Sequence, residues 1–330
     1  MNRRPRRNRK SVAIRKMVRE TTLTPDHLVY PLFLEEGKAI KSEVASLPGN
    51  YRWSLDKMLK EIESCLELGI NNYIIFPHIA DKHKDKLGKY SYSSKNFYLK
   101  AAKRIKKEFP QASLISDVAL DPYSIDGHDG IVRKGKILND ETLAVLQKMS
   151  VAQAAAGFDI IGPSDMMDGR VGAIREALDH KGYSDKSIMS YTAKYASAYY
   201  GPFRDALDSA PVAGNDIPKD KKTYQMDPAN KYEALIEGEL DTQEGADYLM
   251  VKPALNYLDV IHVMKENFDL PIAAYHVSGE CAMLIAACQK GWLNYEEAMP
   301  ETLLSIHRAG ADCIISYFAK DFAKHYKKQF

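Results

Sequence analysis

Short apolar runs recur along most of the chain, separated by segments with helical periodicity. The runs predict strands at Tyr30–Leu34, Tyr73–Phe76, Ser113–Leu120, Asp159–Ser164, Ser187–Tyr191, Tyr248–Val251, Ile272–Val277 and Cys313–Tyr317. They are continuously apolar rather than alternating, the mark of strands covered on both faces. Between them, amphipathic patterns predict helices such as Leu55–Leu68, Tyr98–Phe109, Asp140–Ala156, Lys231–Glu244, Tyr257–Asn267 and Glu280–Gln289. Asp140-Glu141 and Ser278-Gly279-Glu280 place small or acidic groups where a helix start favours them. Eight such alternations predict an α/β fold, a (β/α)8 barrel. A doubly wound sheet would alternate in the same way, but no GxGxxG turn follows the first strand. Thr223–Met226 has some strand character and reads as the end of a loop.

In such a barrel the chemistry sits at the C-terminal ends of the strands. His78, Asp121, Ser164-Asp165, Lys194, Lys252, Ser278 and Tyr317 all fall there, after strands two to eight in turn. Lys252 ends the apolar run Tyr248–Val251, just before Pro253 stops the pairing. Burial there would lower its pKa, and a neutral amine can attack a carbonyl to form a Schiff base. A lysine snorkelling to solvent would leave the same trace. Lys194 stands in a similar apolar and aromatic setting at the end of the adjacent strand. If the two amines share a cavity, like-charge repulsion lowers their pKa values further. Segment 200–222, rich in proline and polar residues, reads as a lid. Arg204 and the pair Lys221-Lys222 bracket it, which suggests a carboxylate-bearing substrate.

The chain has 330 residues, 45% hydrophobic and 27% charged, with a net charge of +2. Nothing in that balance calls for nucleic acid. The basic start, from Arg3 to Lys10, lacks the apolar stretch of a secretory signal, and no run reaches membrane-spanning length. A cytoplasmic protein is the expectation. Four scattered cysteines, without CxxC spacing, argue against a disulfide framework or a structural zinc site. Residues 1–28 read as an arm that is either a disordered tail or packed on another subunit. Residues 29–330 read as one catalytic barrel.

Five segments carry a more specific signal: SDMMDGRVGAIR (164–175), SYTAKYASAYYGPFRDA (190–206), KKTYQMDPAN (221–230), MVKPALNYLD (250–259) and YHVSGECAM (275–283). In these the chain resembles the porphobilinogen synthase (5-aminolevulinic acid dehydratase) family over nearly its whole length. The resemblance implies a barrel with an N-terminal arm, a homo-octamer held by embracing arms, and no organic cofactor. It implies condensation of two 5-aminolevulinate molecules to porphobilinogen, an early step of heme biosynthesis. Both substrates would be held as Schiff bases, on Lys252 and Lys194. Arg204, Lys221, Ser278 and Tyr317 would bind substrate carboxylates. Lys221 stands where many members have arginine, which keeps the charge but loses the planar fork.

Where zinc-dependent members carry three cysteines, this chain has Ala119, Asp121 and Asp129. No catalytic zinc is therefore expected, and the stretch DVALDPYSIDGHDG looks like that of a magnesium-responsive subgroup. Asp121 and Asp129 are candidate metal ligands; a solvated acidic loop without metal is the alternative. Asp126 departs from the histidine of many relatives. Glu237 matches a glutamate that binds an allosteric Mg²⁺ in the family, and is otherwise an exposed helical acid. His78, His128 and His276 lack metal-ligand spacing. A Schiff-base aldolase, a metal-dependent barrel hydrolase and a non-enzymatic scaffold are the competing classes.

Overall fold

A computed structural model describes residues 2–214 and 216–328. Eight parallel strands run β1 Leu28–Glu35, β2 Asn72–His78, β3 Ser113–Ile115, β4 Ile160–Ile161, β5 Ser187–Lys194, β6 Tyr248–Lys252, β7 Ile272–His276 and β8 Cys313–Ser316. Each pairs with the next, and β8 returns to β1 through Leu28↔Ile314 and Val29↔Ile315, closing the barrel. The (β/α)8 expectation is met. The strands are apolar because helices cover the outside and side chains fill the inside; β1 is buried from Leu28 to Leu34.

The covering helices are α1 Leu55–Leu66, α2 Phe97–Glu108, α3 Asn139–Ala155, α4 Arg170–His180, α5 Gly201–Leu207, α6 Glu233–Gln243, α7 Leu258–Asn267, α8 Ser278–Gln289, α9 Tyr295–Ala309 and α10 Ala319–Lys327. The apolar pattern did not single out α4, α5, α9 or α10. Pro300 inside α9 obscures its period, since proline removes a helical N–H donor. Two strands are shorter than their apolar runs. β4 stops at Ile161 because Pro163 has no N–H for the ladder, and beyond β3 an isolated bridge, Val118↔Pro163, continues the contact. Thr223–Met226 forms turns, with one bridge from Met226 to Tyr195.

Two details shape the C-terminal rim. The register between β5 and β6 shifts between Leu249 and Val251, after which Val251 faces Ala193 and Lys252 faces Lys194. One extra residue on β5 therefore brings the two lysines level; unshifted, Lys252 would meet Ala193. A hairpin of Lys41–Glu43 and Tyr51–Trp53 adds to the end of β1 through Phe33↔Arg52 and Leu34↔Trp53. At the other end of the chain, residues 2–20 form a short turn and the helix Val12–Met17, with Ile14 alone half-buried and the rest exposed.

Candidate active site

Lys252 and Lys194 end adjacent strands, and both are buried at 6% exposure. Their surroundings differ. The Lys252 amine stands 4.5 Å from the Tyr275 ring centre, 5.0 Å from Phe203, 5.1 Å from Tyr191 and 5.2 Å from Tyr200. Among the described residues no oxygen accepts a hydrogen bond from it. Burial, reinforced by the Lys194 charge, pushes Lys252 down to about 7, against the pull of Asp117, Asp121 and Asp129. Rings favour a cation weakly compared with water, so they do not restore its charge.

The Lys194 amine lies 3.2 Å from Asp129 Oδ2 and donates to the Ser164 carbonyl. Lys221 reaches the same carboxylate, 2.8 Å from Asp129 Oδ1, and lies 3.2 Å from Asp121 Oδ2. Burial opposes the charge on Asp129, yet Lys194 and Lys221 outweigh it and hold that carboxyl well below the usual range. Asp121 moves the other way: burial and Asp129 raise it, with Lys221 opposing. Burial also works against Lys221, which its two aspartates nonetheless hold above an ordinary lysine.

The acidic stretch is thus not a solvated loop: Asp121, Asp126 and Asp129 are all buried. Asp121 and Asp129 are placed as acceptors for lysine ammoniums. Among the described residues no group of three or more His, Cys, Asp or Glu side chains is placed to hold a metal ion.

Two of the other expected residues line the cavity between the amines, whereas Ser278 and Tyr317 do not. Arg204 and Lys221 line it together with Asp121, Lys194, Phe203, Gln225 and Lys252; Lys222 does not, turning outward toward Asp220. The Ser278 hydroxyl accepts from the Phe203 N–H at 3.0 Å, and the Tyr317 hydroxyl meets that of Tyr275 at 3.1 Å. Phe203 packs edge-on against Phe76 at 4.9 Å, capping the barrel mouth. Close backbone approach lets α5 sit this low. A Cβ at Gly279 would overlap the Tyr199 carbonyl, and one at Gly127 the Ala210 carbonyl. The cavity measures about 30 Å³, room for a water molecule but not for a substrate.

Glu237 lies apart, half-buried on α6, beside a polar cavity of about 450 Å³ that Asp168, Asp227 and Glu233 also line. Burial is the main reason its carboxyl rises to about 7; Asp241 adds to the rise, and Arg170 opposes it.

The histidines are occupied elsewhere. His128 bonds the Tyr224 hydroxyl and the Pro218 carbonyl, His276 bonds Ser316 and Cys281, and His78 bonds Asp208. Two features escaped the sequence reading. Asp117 accepts from Ser164 Oγ at 2.6 Å, and burial with Asp121 nearby pushes it up to about 7. The ring box around Lys252 was also missed. Its members are spread over β5, β7, α5 and the turn just before α5, and strands buried on both faces give no alternation that would mark Tyr191 and Tyr275 as inward-facing.

A closed parallel barrel with its buried ionisable groups gathered at the C-terminal rim is the layout of a (β/α)8-barrel enzyme. The family model for delta-aminolevulinic acid dehydratase matches residues 2–325. The chain is 53% identical over 319 residues to the delta-aminolevulinic acid dehydratase of Chlamydia pneumoniae, covering 97% of this chain and 95% of that one. It is 51% identical to that of Bradyrhizobium diazoefficiens, covering 99% and 91%. A crystal structure of the Toxoplasma gondii enzyme, in complex with its reaction product porphobilinogen, superposes with a TM-score of 0.95. It shares 48% identity and covers 98% of this chain and 91% of that one. The chain belongs to the delta-aminolevulinic acid dehydratase family, a family of lyases.

Proposed function

We propose that this chain condenses two molecules of 5-aminolevulinate to porphobilinogen, releasing two waters, through Schiff bases on Lys252 and Lys194. The observation that carries the reading is the unbonded Lys252 amine, boxed by four rings and pushed down to about 7 beside a second buried lysine. Kinship to an enzyme solved with porphobilinogen supports the choice of substrate.

At neutral pH a substantial fraction of Lys252 is unprotonated and nucleophilic. Its nitrogen bonds the ketone carbon, and the ketone oxygen leaves as water after taking up protons. The imine then acidifies the adjacent carbon. Asp117, pushed up to about 7, suits proton transfer at that pH. The Lys194 amine begins held by Asp129, a contact that must break before its nitrogen can bond a second substrate. That asymmetry would let two identical molecules play different parts. Arg204, Lys221, Ser278 and Tyr317 would receive the substrate carboxylates. Segment 200–222 acts as a lid that opens for entry, because the closed cavity has no room for substrate.

Glu237 shares its cavity with Asp168, Asp227 and Glu233; no three of them converge to bind a metal directly, so a Mg²⁺ there would be held through its own waters. Such an ion would supply charge neutralisation at that surface and would favour an octameric assembly. The exposed Val12, Met17 and Val18 suit the segment before Leu28 as an arm that packs on another subunit. An aldolase fits less well, since it needs one essential lysine and here two share a cavity.

The reading is tested by assaying porphobilinogen formation from 5-aminolevulinate after EDTA treatment, with Mg²⁺ or Zn²⁺ restored. Activity stimulated by Mg²⁺ supports both parts. A requirement for Zn²⁺ would overturn the metal assignment alone, and no product under any condition would overturn the reaction.

A further inference from the structure

Helix α5 carries Phe203 and Arg204 over the two amines, yet it is seven residues long and cannot hold its shape unaided. Its last carbonyls find partners outside the helix. Arg52, on the rim hairpin, donates through Nε to the Ala206 carbonyl at 2.7 Å and through Nη2 to the Asp205 carbonyl at 2.6 Å. The same Nη2 lies 3.5 Å from Asp208 Oδ2. Asp208 closes the helix in a left-handed conformation, with φ +48°, and its carboxylate meets His78 Nε2 at 2.8 Å. Its carbonyl accepts from Lys84 Nζ at 3.3 Å.

Three basic side chains from three separate elements thus converge on the C-terminus of one short helix. Carbonyl groups and the negative end of the helix dipole make that a favourable place for them. Glu35, 3.6 Å from His78, and Asp81, 2.9 Å from Lys84, hold the basic groups from behind. None of Arg52, His78 or Lys84 lines the cavity between the lysines. At the N-terminal end of α5, Ser278 receives the Phe203 N–H, so the helix is pinned at both ends.

We infer that Arg52 and His78 are positioning residues, forming with Asp208 a latch that fixes α5 over the amines. The latch rests on the proposed reading of the site. Substrate entry requires α5 to lift, and at its C-terminal end the bonds to be broken are those to Arg52, His78 and Lys84. Arg52 matters most, because its planar fork sends a separate, pre-oriented N–H to each of two carbonyls, where a lysine would offer one flexible nitrogen.

The test compares full-length wild type with Arg52→Ala, Arg52→Lys and Asp208→Asn. The readouts are tryptic cleavage after Arg204, kcat and KM, borohydride trapping of 5-aminolevulinate on Lys252, and melting temperature. Arg52→Ala is expected to speed cleavage after Arg204. It should lower kcat/KM by about ten- to a hundred-fold, the size of losing hydrogen bonds from a charged donor. The melting temperature should stay unchanged, because α5 lies outside the barrel wall. Arg52→Lys should fall between Arg52→Ala and wild type. Asp208→Asn should speed cleavage less than Arg52→Ala, since the bonds to the two helix carbonyls survive. Wild-type cleavage in Arg52→Ala would overturn the latch, and so would faster cleavage with wild-type kinetics. Failure of the wild type to trap substrate would instead overturn the reading of the site, while the cleavage comparison would still decide the latch.

Discussion

Lys252 and Lys194 are partners across one strand pair, equally buried, and yet their environments are nearly opposite. One amine is enclosed by the rings of Tyr191, Tyr200, Phe203 and Tyr275; the other is held by Asp129 and the Ser164 carbonyl. Position in the fold places a lysine at the rim, but the neighbours decide what its amine meets there. On the proposed reading the ring-lined half would supply the first nucleophile, while the amine of the other half is held by Asp129. An enzyme joining two copies of one molecule needs such an inequality.

The comparison breaks most completely at Lys252. Lys252→Ala should lower the turnover number by on the order of 10⁴-fold, as losing a nucleophile does. A steady-state assay checks this.

Next in size is the ionic half. Asp129→Ala leaves Lys194 and Lys221 buried without their shared carboxylate, and should cost about 3–5 kcal/mol of stability. Denaturant unfolding measures it. Asp129→Asn keeps the shape and should lose less.

The ring-lined half behaves in the reverse sense. Burial lowers Lys252 from an ordinary 10.5 to about 7, so between those values the unfolded chain binds a proton that the folded chain has released. Stability from this group therefore rises with pH across that window, and the penalty is complete below pH 7. Lys252→Met should stabilise the fold at neutral pH by on the order of a few kcal/mol, a gain that shrinks toward pH 10.5. Unfolding curves at several pH values would show the trend. The same residue would thus be destabilising to keep and indispensable for activity.

The smallest effect is expected away from the cavity. Glu237→Gln should reduce stimulation by Mg²⁺ while leaving borohydride trapping at Lys252 intact, because Glu237 lines a different cavity.

The sequence made one of the two halves easier to anticipate than the other. Both lysines were visible at the ends of apolar runs, and the eight strands were visible because a parallel barrel buries both faces of each. The ion pairs of Asp129 were not, since they join residues 65 and 92 positions apart. Nor was the level placement of the amines, which depends on a register shift between β5 and β6 that no periodicity records. Arg52 was hidden for a similar reason: its partners on α5 lie more than 150 positions away. Family resemblance offered the aspartates as candidate metal ligands, and nothing local in the sequence foretold that in the fold they face two lysines.

The account stands on Lys252 being the amine that is ready to react first. Limiting 5-aminolevulinate, borohydride reduction at pH 7 and peptide mapping by mass spectrometry would test it most directly. The account expects the first adduct on Lys252, with labelling that strengthens as pH rises through 7. A first adduct on Lys194, or full turnover with no adduct on either lysine, would contradict it.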